Sequence, residues 1–158
     1  MNIELAISIA LQAHKGQIDK GGHPYILHPL AVMNRVETME EKIVAVLHDV
    51  IEDTDVTIEA LREYGFSEEI LTAIRLLTRS KEDTYEQFIE KTLMNPIARN
   101  VKIADIKENM NISRIKNPTE HDYNRLEKYK KAVERLEEHT TEPVQFFHVN
   151  DPYRGLVI

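Results

Sequence analysis

At 158 residues the chain fits one ordinary domain built around one core. Apolar residues make up 42% and charged residues 30%, which excludes disordered, collagen-like and low-complexity classes. A balance of 20 basic against 27 acidic residues gives a net charge of −7, which opposes non-specific binding to nucleic acid or anionic lipid, and the absence of Cys removes disulfides, thiolate nucleophiles and Cys-based metal sites. With 5 Gly, 6 Pro, 6% aromatics and no Trp, composition favours helices and predicts an all-α fold. No apolar run approaches the ~18 residues of a membrane span, and Met1-Asn2-Ile3-Glu4 lacks the basic stretch of a secretory signal. The expectation is a cytoplasmic protein with neither membrane nor nucleic acid as partner.

The chain opens on an amphipathic helix, because Ile3, Ala6, Ile7, Ala10 and Leu11 follow the i, i+3, i+4 stripe up to His14. Gly16, Gly21, Gly22 and Pro24 then predict a loop over 15–27, and His28-Pro29 starts a second helix. Thr38 followed by Glu41 is a capping box, opening a third helix expected from Glu40 to about Ile51. Thr57 and Ser67 cap two short helices, and Thr84 with Gln87 gives a second capping box. Asn95-Pro96 begins a long helix expected to end before Asn117-Pro118, and Thr119 caps a last one through about Glu137. The domain is therefore expected over 1–139. Thr140-Thr141-Glu142-Pro143 breaks the periodicity, so 140–158 is expected as a C-terminal tail, extended from Val144, whose three aromatics pack on the domain or on a partner subunit. A homo-oligomer stays open.

The third helix carries the chemistry. At ~100° per residue, Ile43, Val44, Leu47, Val50 and Ile51 fall on one side, with His48, Asp49, Glu52 and Asp53 on the other. That second face contains no cation. Solvated helix faces usually interleave both signs, whereas carboxylates and imidazoles without counter-charge repel one another unless a cation sits among them. His28 on the preceding helix and Asp105, set in the apolar run Val101-Lys102-Ile103-Ala104, can join His48-Asp49 to offer two imidazole nitrogens and two carboxylate oxygens. Such a set suits Mn²⁺, Fe²⁺, Zn²⁺ or Ni²⁺. Between Arg99 and Lys116 five basic residues face two acids, a local excess of cations expected near a phosphate ligand.

The pattern His28, His48-Asp49, Asp105 resembles the H…HD…D signature of the HD superfamily of metal-dependent phosphohydrolases. More narrowly, Ala13-His14-Lys15-Gly16-Gln17, Gly22-His23-Pro24-Tyr25-Ile26-Leu27-His28-Pro29, Leu47-His48-Asp49-Val50-Ile51-Glu52-Asp53-Thr54 and Lys102-Ile103-Ala104-Asp105 resemble the hydrolase domain of RelA/SpoT-type alarmone enzymes, in the same order. The length fits the small stand-alone (p)ppGpp hydrolases of that family. The resemblance implies a single all-helical HD domain, one Mn²⁺ ion and release of pyrophosphate from the ribose 3′ position of ppGpp or pppGpp. It makes His28, His48, Asp49 and Asp105 the metal ligands and Glu52 and Asp53 the catalytic acids. It also implies that Lys20, Asn109, Arg125 and Tyr129 contact the nucleotide.

Departures gather in substrate recognition. The family typically has an arginine that packs on guanine before the loop lysine, and here Asp19 stands there; Ile106 and Glu108 replace its usual Arg and His. Another nucleotide or a phosphorylated cofactor such as NADPH is therefore the alternative substrate, and a non-catalytic nucleotide sensor the alternative class. His14 is expected to order Gln17 or a metal ligand, Lys107 to face solvent, and Tyr25 to fill the core behind His28.

Overall fold

The computed structural model describes residues 2–148, with the side chains of Arg114 and 139–148 left outside the description. It is helical: α1 (Ile3–Ala13), α2 (Leu27–Asn34), α3 (Met39–Leu47), α4 (Val50–Asp53), α5 (Ile58–Glu63), α6 (Glu68–Leu76), α7 (Tyr85–Leu93), α8 (Pro96–Asn109) and α9 (Glu120–His148), with a 3₁₀ turn at Ile112–Arg114. The β pairing among the described residues is one isolated antiparallel bridge, Ile18 to Pro24, that closes the first loop. No helix there is long and apolar enough to cross a membrane.

The expected caps form. Thr38 and Glu41 make a full capping box on α3, and Thr84 and Gln87 another on α7. Thr57, Ser67 and Asn95 accept from the third residue of α5, α6 and α8 respectively. Each satisfies an orphan N–H of the first turn. At α9 the donors run the other way: Asp122 accepts from the Thr119 backbone N–H and hydroxyl.

Ile43, Val44, Ala45, Val46 and Leu47 are consecutive and all fully buried. A helix apolar on every side belongs at the centre, and α3 accordingly packs against α1, α2, α6 and α8. A second apolar cluster joins Ile89 and Leu93 of α7, Ile106 of α8 and Ala132, Val133 and Leu136 of α9. The site lies where these two clusters meet, along α8.

Three boundaries differ from the sequence expectation. The third helix is not continuous: α3 stops at Leu47, His48 and Asp49 form a turn, and α4 resumes at Val50. The side chains responsible are polar and buried, and the His48 ring bonds the Ala45 carbonyl beside it. α8 ends at Asn109, well before Asn117-Pro118. Asn111 then turns the chain, its side chain accepting from Ser113. α9 runs through 140–143 to His148, so the break expected there and the extended tail from Val144 are corrected up to that residue. Proline removes one backbone donor, which interrupts the hydrogen-bond ladder but does not by itself end a helix. The rest of the tail, 149–158, lies outside the described residues.

Candidate active site

His28 opens α2, His48 and Asp49 sit in the turn after α3, and Asp105 projects from α8. The fold brings all four together. His28 Nε2 is 2.8 Å from Asp105 Oδ1, and His48 Nε2 is 3.1 Å from Asp49 Oδ2 and 3.4 Å from Asp105 Oδ1. Donor atoms of His28, His48 and Asp49 all lie within 4.8 Å of one another.

His48 defines what this cluster can hold. Its Nδ1 lies 2.5 Å from the Ala45 carbonyl, an acceptor, so Nδ1 carries the hydrogen and the lone pair of the neutral ring is on Nε2. Nε2 is buried and makes no hydrogen bond of acceptable geometry, although two carboxylates stand beside it. A lone pair aimed at two anions requires a cation between them, either a proton or a metal ion. Burial alone would lower the ring's proton affinity, but the charge of Asp49 and the contacts with Asp105 and Asp49 outweigh it and hold the pKa well above its ordinary value. Two imidazole nitrogens with two carboxylates, one nitrogen fixed by a backbone carbonyl, form a donor set that fits a divalent ion of the Mn²⁺–Zn²⁺ type.

The carboxylates are supported from outside. Asp105 accepts from Lys102 at 3.0 Å and, more weakly, from Asn109 at 3.4 Å. Burial would raise its carboxyl pKa, and Lys102 together with the two histidines holds it well below the usual range. The Tyr25 hydroxyl donates to Asp49 Oδ2, while burial and the neighbouring carboxylates keep that phenol protonated. Asp49 is likewise lowered: the His48 charge and these hydrogen bonds outweigh burial. Tyr25 therefore does more than fill the core, and its half-buried ring also packs on His14, with centroids 5.0 Å apart. His14 Nδ1 meets Gln17 Oε1 at 2.8 Å, as expected, and Gln17 donates to the Asp53 carbonyl.

Glu52 and Asp53 stand one turn further, and one oxygen from each lies within 4.8 Å of the others and of Asp49. Both reach solvent, yet desolvation on their inner side and repulsion from Asp49 raise their pKa values. The backbone N–H of Arg79 donates to Glu52 Oε1 at 3.0 Å and fixes that carboxylate.

A cleft of about 460 Å³ opens over this floor, lined by His28, Asp49, Glu52, Asp53 and Asp105 and walled by Lys20, Asn109, Arg125 and Tyr129. Every expected site residue lines it except His48, which lies buried behind. Asp19 also faces the cleft, but its Oδ1 accepts from the backbone N–H groups of Gly21 and His23, both at 2.9 Å. The acid at this departure holds the loop. Glu108 pairs with Arg35 at 2.7 Å.

The cations of α8, Arg99, Lys102 and Lys107, do not line the cleft. Lys102 is committed to Asp105, Lys107 pairs with Glu137 on the exposed side, and Arg99 bonds the Leu93 carbonyl. Sequence reasoning missed Tyr25 and Lys102 as partners of the cluster. Their signal was positional: a hydroxyl three residues before His28, and an amine three residues before Asp105 on the same helix face.

No protein-family model matches the chain. It is 33% identical over 129 residues to a probable GTP pyrophosphokinase of Mycobacterium leprae, covering 73% of this chain and 16% of that one. It is 35% identical over 109 residues to a guanosine-3′,5′-bis(diphosphate) 3′-pyrophosphohydrolase of Haemophilus influenzae (63% and 16% covered). It is 33% identical over 119 residues to the bifunctional (p)ppGpp synthase/hydrolase SpoT of Escherichia coli K12 (66% and 17% covered). The chain thus spans about a sixth of the length of these curated relatives. A solved structure of a metazoan ortholog of SpoT, described as hydrolysing ppGpp, superposes with a TM-score of 0.71 at 21% identity, covering 85% of this chain and 84% of that one, and shows the same all-helical fold. The matched regions of the curated relatives, this shared fold and the convergence of the H…HD…D residues identify the chain as an HD-type, RelA/SpoT hydrolase-like protein.

Proposed function

We propose that the protein is a metal-dependent phosphohydrolase that removes pyrophosphate from the ribose 3′ position of ppGpp or pppGpp, leaving GDP or GTP. The observation that carries the reading is the meeting of His28, His48, Asp49 and Asp105 directly beside Glu52 and Asp53 on the floor of one cleft. The names of the curated relatives support the substrate. His28, His48, Asp49 and Asp105 would hold one divalent ion, Mn²⁺ in this proposal. Bound there, such an ion supplies Lewis-acid polarisation of the phosphoryl oxygens and acidifies a nearby water toward a pKa of ~7.

The chain's own residues do the rest. Glu52, with its raised proton affinity and its orientation fixed by the Arg79 N–H, takes the proton of the attacking water. Asp53 orients that water. The water oxygen forms the new bond to phosphorus while the bond to the 3′ oxygen breaks; pyrophosphate departs, and the 3′ oxygen takes up a proton to become the ribose hydroxyl of GDP or GTP. Lys20 and Arg125 offset phosphate charge at the walls, and Asn109 and Tyr129 orient the nucleoside.

The loop-holding role of Asp19 favours a second reading, in which the same chemistry acts on another nucleotide or on a phosphorylated cofactor such as NADPH, because no arginine is available there to stack on guanine. Glu52 and Asp53 oppose a third, a pure sensor, since two acids would only repel an anionic ligand. A panel of ppGpp, pppGpp, NADPH and ordinary nucleotides at fixed Mn²⁺ tests the proposal. Preferential release of pyrophosphate from ppGpp supports it; turnover of another member of the panel alone moves the assignment to the second reading.

A further inference from the structure

The cage of candidate metal donors has a cation built into its wall. Lys102 and Asp105 stand one turn apart on α8, with Lys102 Nζ 3.0 Å from Asp105 Oδ2. Both are withdrawn from solvent: the Lys102 side chain is 13% exposed and that of Asp105 7%. The amine also sits over the Phe88 ring of α7, 4.8 Å from its centroid, so a carboxylate on one helix and an aromatic face on another hold the ammonium. Lys102 does not line the cleft. Any effect on the site must pass through Asp105.

The two oxygens of Asp105 are thereby divided. Oδ1 faces the histidines, 2.8 Å from His28 Nε2 and 3.4 Å from His48 Nε2, and receives the Asn109 amide at 3.4 Å. Oδ2 is taken by Lys102. Asp105 therefore offers the cluster one donor atom and not two. At Asp49 the outer partner is the Tyr25 hydroxyl, which orients a carboxylate without adding charge, whereas an ammonium adds a full positive charge. Two carboxylates and two neutral imidazoles already balance a divalent ion. Lys102 then stands beside that ion as a like charge, in surroundings where water screens little. Without an ion, the same ammonium compensates the buried carboxylate of Asp105.

We propose that Lys102 is a resident counter-cation of the metal cage, which keeps the metal-free cage intact, limits Asp105 to a single donor oxygen and weakens the hold on the divalent ion so that loading is reversible. The inference rests on the metal-dependent reading and adds a control on it, exerted by a positioning residue. Its two effects have opposite signs. Removing Lys102 destabilises the metal-free protein and tightens metal binding, whereas loss of a side chain that only packs or orients Asp105 weakens both.

The test measures Mn²⁺ binding to the chelator-stripped full chain by calorimetry near neutral pH, with melting temperatures before and after Mn²⁺ addition, for wild type, Lys102→Met and Lys107→Gln. Lys102→Met keeps the length and apolar stem of the side chain without its charge. Its metal-free form should melt at least about 5 °C below wild type, because a buried carboxylate loses its partner. Its dissociation constant for Mn²⁺ should be at least about tenfold lower than that of wild type, and Mn²⁺ should raise its melting temperature by more. Lys107→Gln removes a cation of the same helix that pairs with Glu137 on the exposed side, and should bind Mn²⁺ as wild type does. Equal or weaker Mn²⁺ binding by Lys102→Met overturns the inference, as does an equal tightening in Lys107→Gln, which would be an effect of net charge alone. If Lys102→Met does not fold without metal, Lys102→Gln, which also removes the charge but keeps a polar donor, carries the same comparison. A wild type that binds no Mn²⁺ overturns the metal-dependent reading itself; a wild type that binds it, beside a Lys102→Met that binds no tighter, overturns the role of Lys102 alone.

Discussion

The hydroxyl of Tyr25 donates to Asp49 Oδ2, linking the loop before α2 to the turn between α3 and α4. Asp49 is thereby oriented from outside the cluster of nitrogens and carboxylates. Tyr25→Phe removes the donor and little volume. Loss of such an outer partner costs ~10–100-fold in metal affinity. The expected outcome is weakened Mn²⁺ binding in a titration of the variant, with helix content unchanged in its circular dichroism spectrum; equal affinity would mean that Asp49 needs no such support.

Glu52→Gln keeps shape and its acceptor toward the Arg79 N–H but removes the proposed base. Turnover should fall ~10²–10⁴-fold while bound metal stays at the wild-type level. The loss should lie in kcat, since removing a negative charge from the cleft does not weaken binding of a polyphosphate. Metal analysis and steady-state kinetics on one preparation check this, and full activity would leave Glu52 without a catalytic role.

Asp19 separates recognition from loop stability. Asp19→Asn retains the oxygen that accepts from Gly21 and His23, whereas Asp19→Arg leaves both N–H groups without it. Losing such a cap costs about 1 kcal/mol. A fall of about 2–4 °C in melting temperature for the arginine variant, and a much smaller one for asparagine, is the expected pair of results. Equal melting temperatures would show that the Asp19 turn adds nothing to stability. Any gain in guanine preference from the arginine has to appear against that loss.

Glu41 provides a pH test independent of the active site. Burial would raise its pKa, but hydrogen bonds from Thr38 and Asn100 outweigh it, so the folded-state value lies below the ordinary 4.5. The folded chain then binds its proton less readily than the unfolded chain does. The stabilisation is fully present above the unfolded value and is lost as pH falls through the folded one. The melting-temperature gap between wild type and Glu41→Gln should be widest near pH 7 and close as pH falls below 4.5 and through the folded-state value. A gap independent of pH would contradict the assignment.

What the sequence revealed was what short range decides. Thr38 with Glu41 and Thr84 with Gln87 act three residues apart, so their capping boxes are visible in the letters alone. The four expected ligand positions were legible through their motif, yet the turn at His48-Asp49 was not, because burial of those polar side chains depends on α2 and α8. Arg35 and Glu108 meet across 73 positions, and Tyr25 and Asp49 across 24, distances at which local pattern carries no information. Pro143 read as a stop because a breaker is a local signal, whereas the continuation of α9 is not locally encoded. The cations of the cleft were misplaced for the same reason: on α8, Lys102 is bound to Asp105 and Lys107 to Glu137, while the cations that line the cleft, Lys20 and Arg125, come from separate parts of the chain.

The proposed activity is hydrolysis of the 3′ diphosphate of ppGpp in a protein whose His28, His48, Asp49 and Asp105 would hold a divalent metal ion. Its most direct test follows ppGpp by ³¹P NMR with the protein stripped by a chelator and then resupplied with Mn²⁺. The stripped protein should show no turnover and, on Mn²⁺ addition, should yield one pyrophosphate and one GDP for each ppGpp consumed. Turnover that persists at full rate without metal, or none in metal-loaded protein, would contradict it.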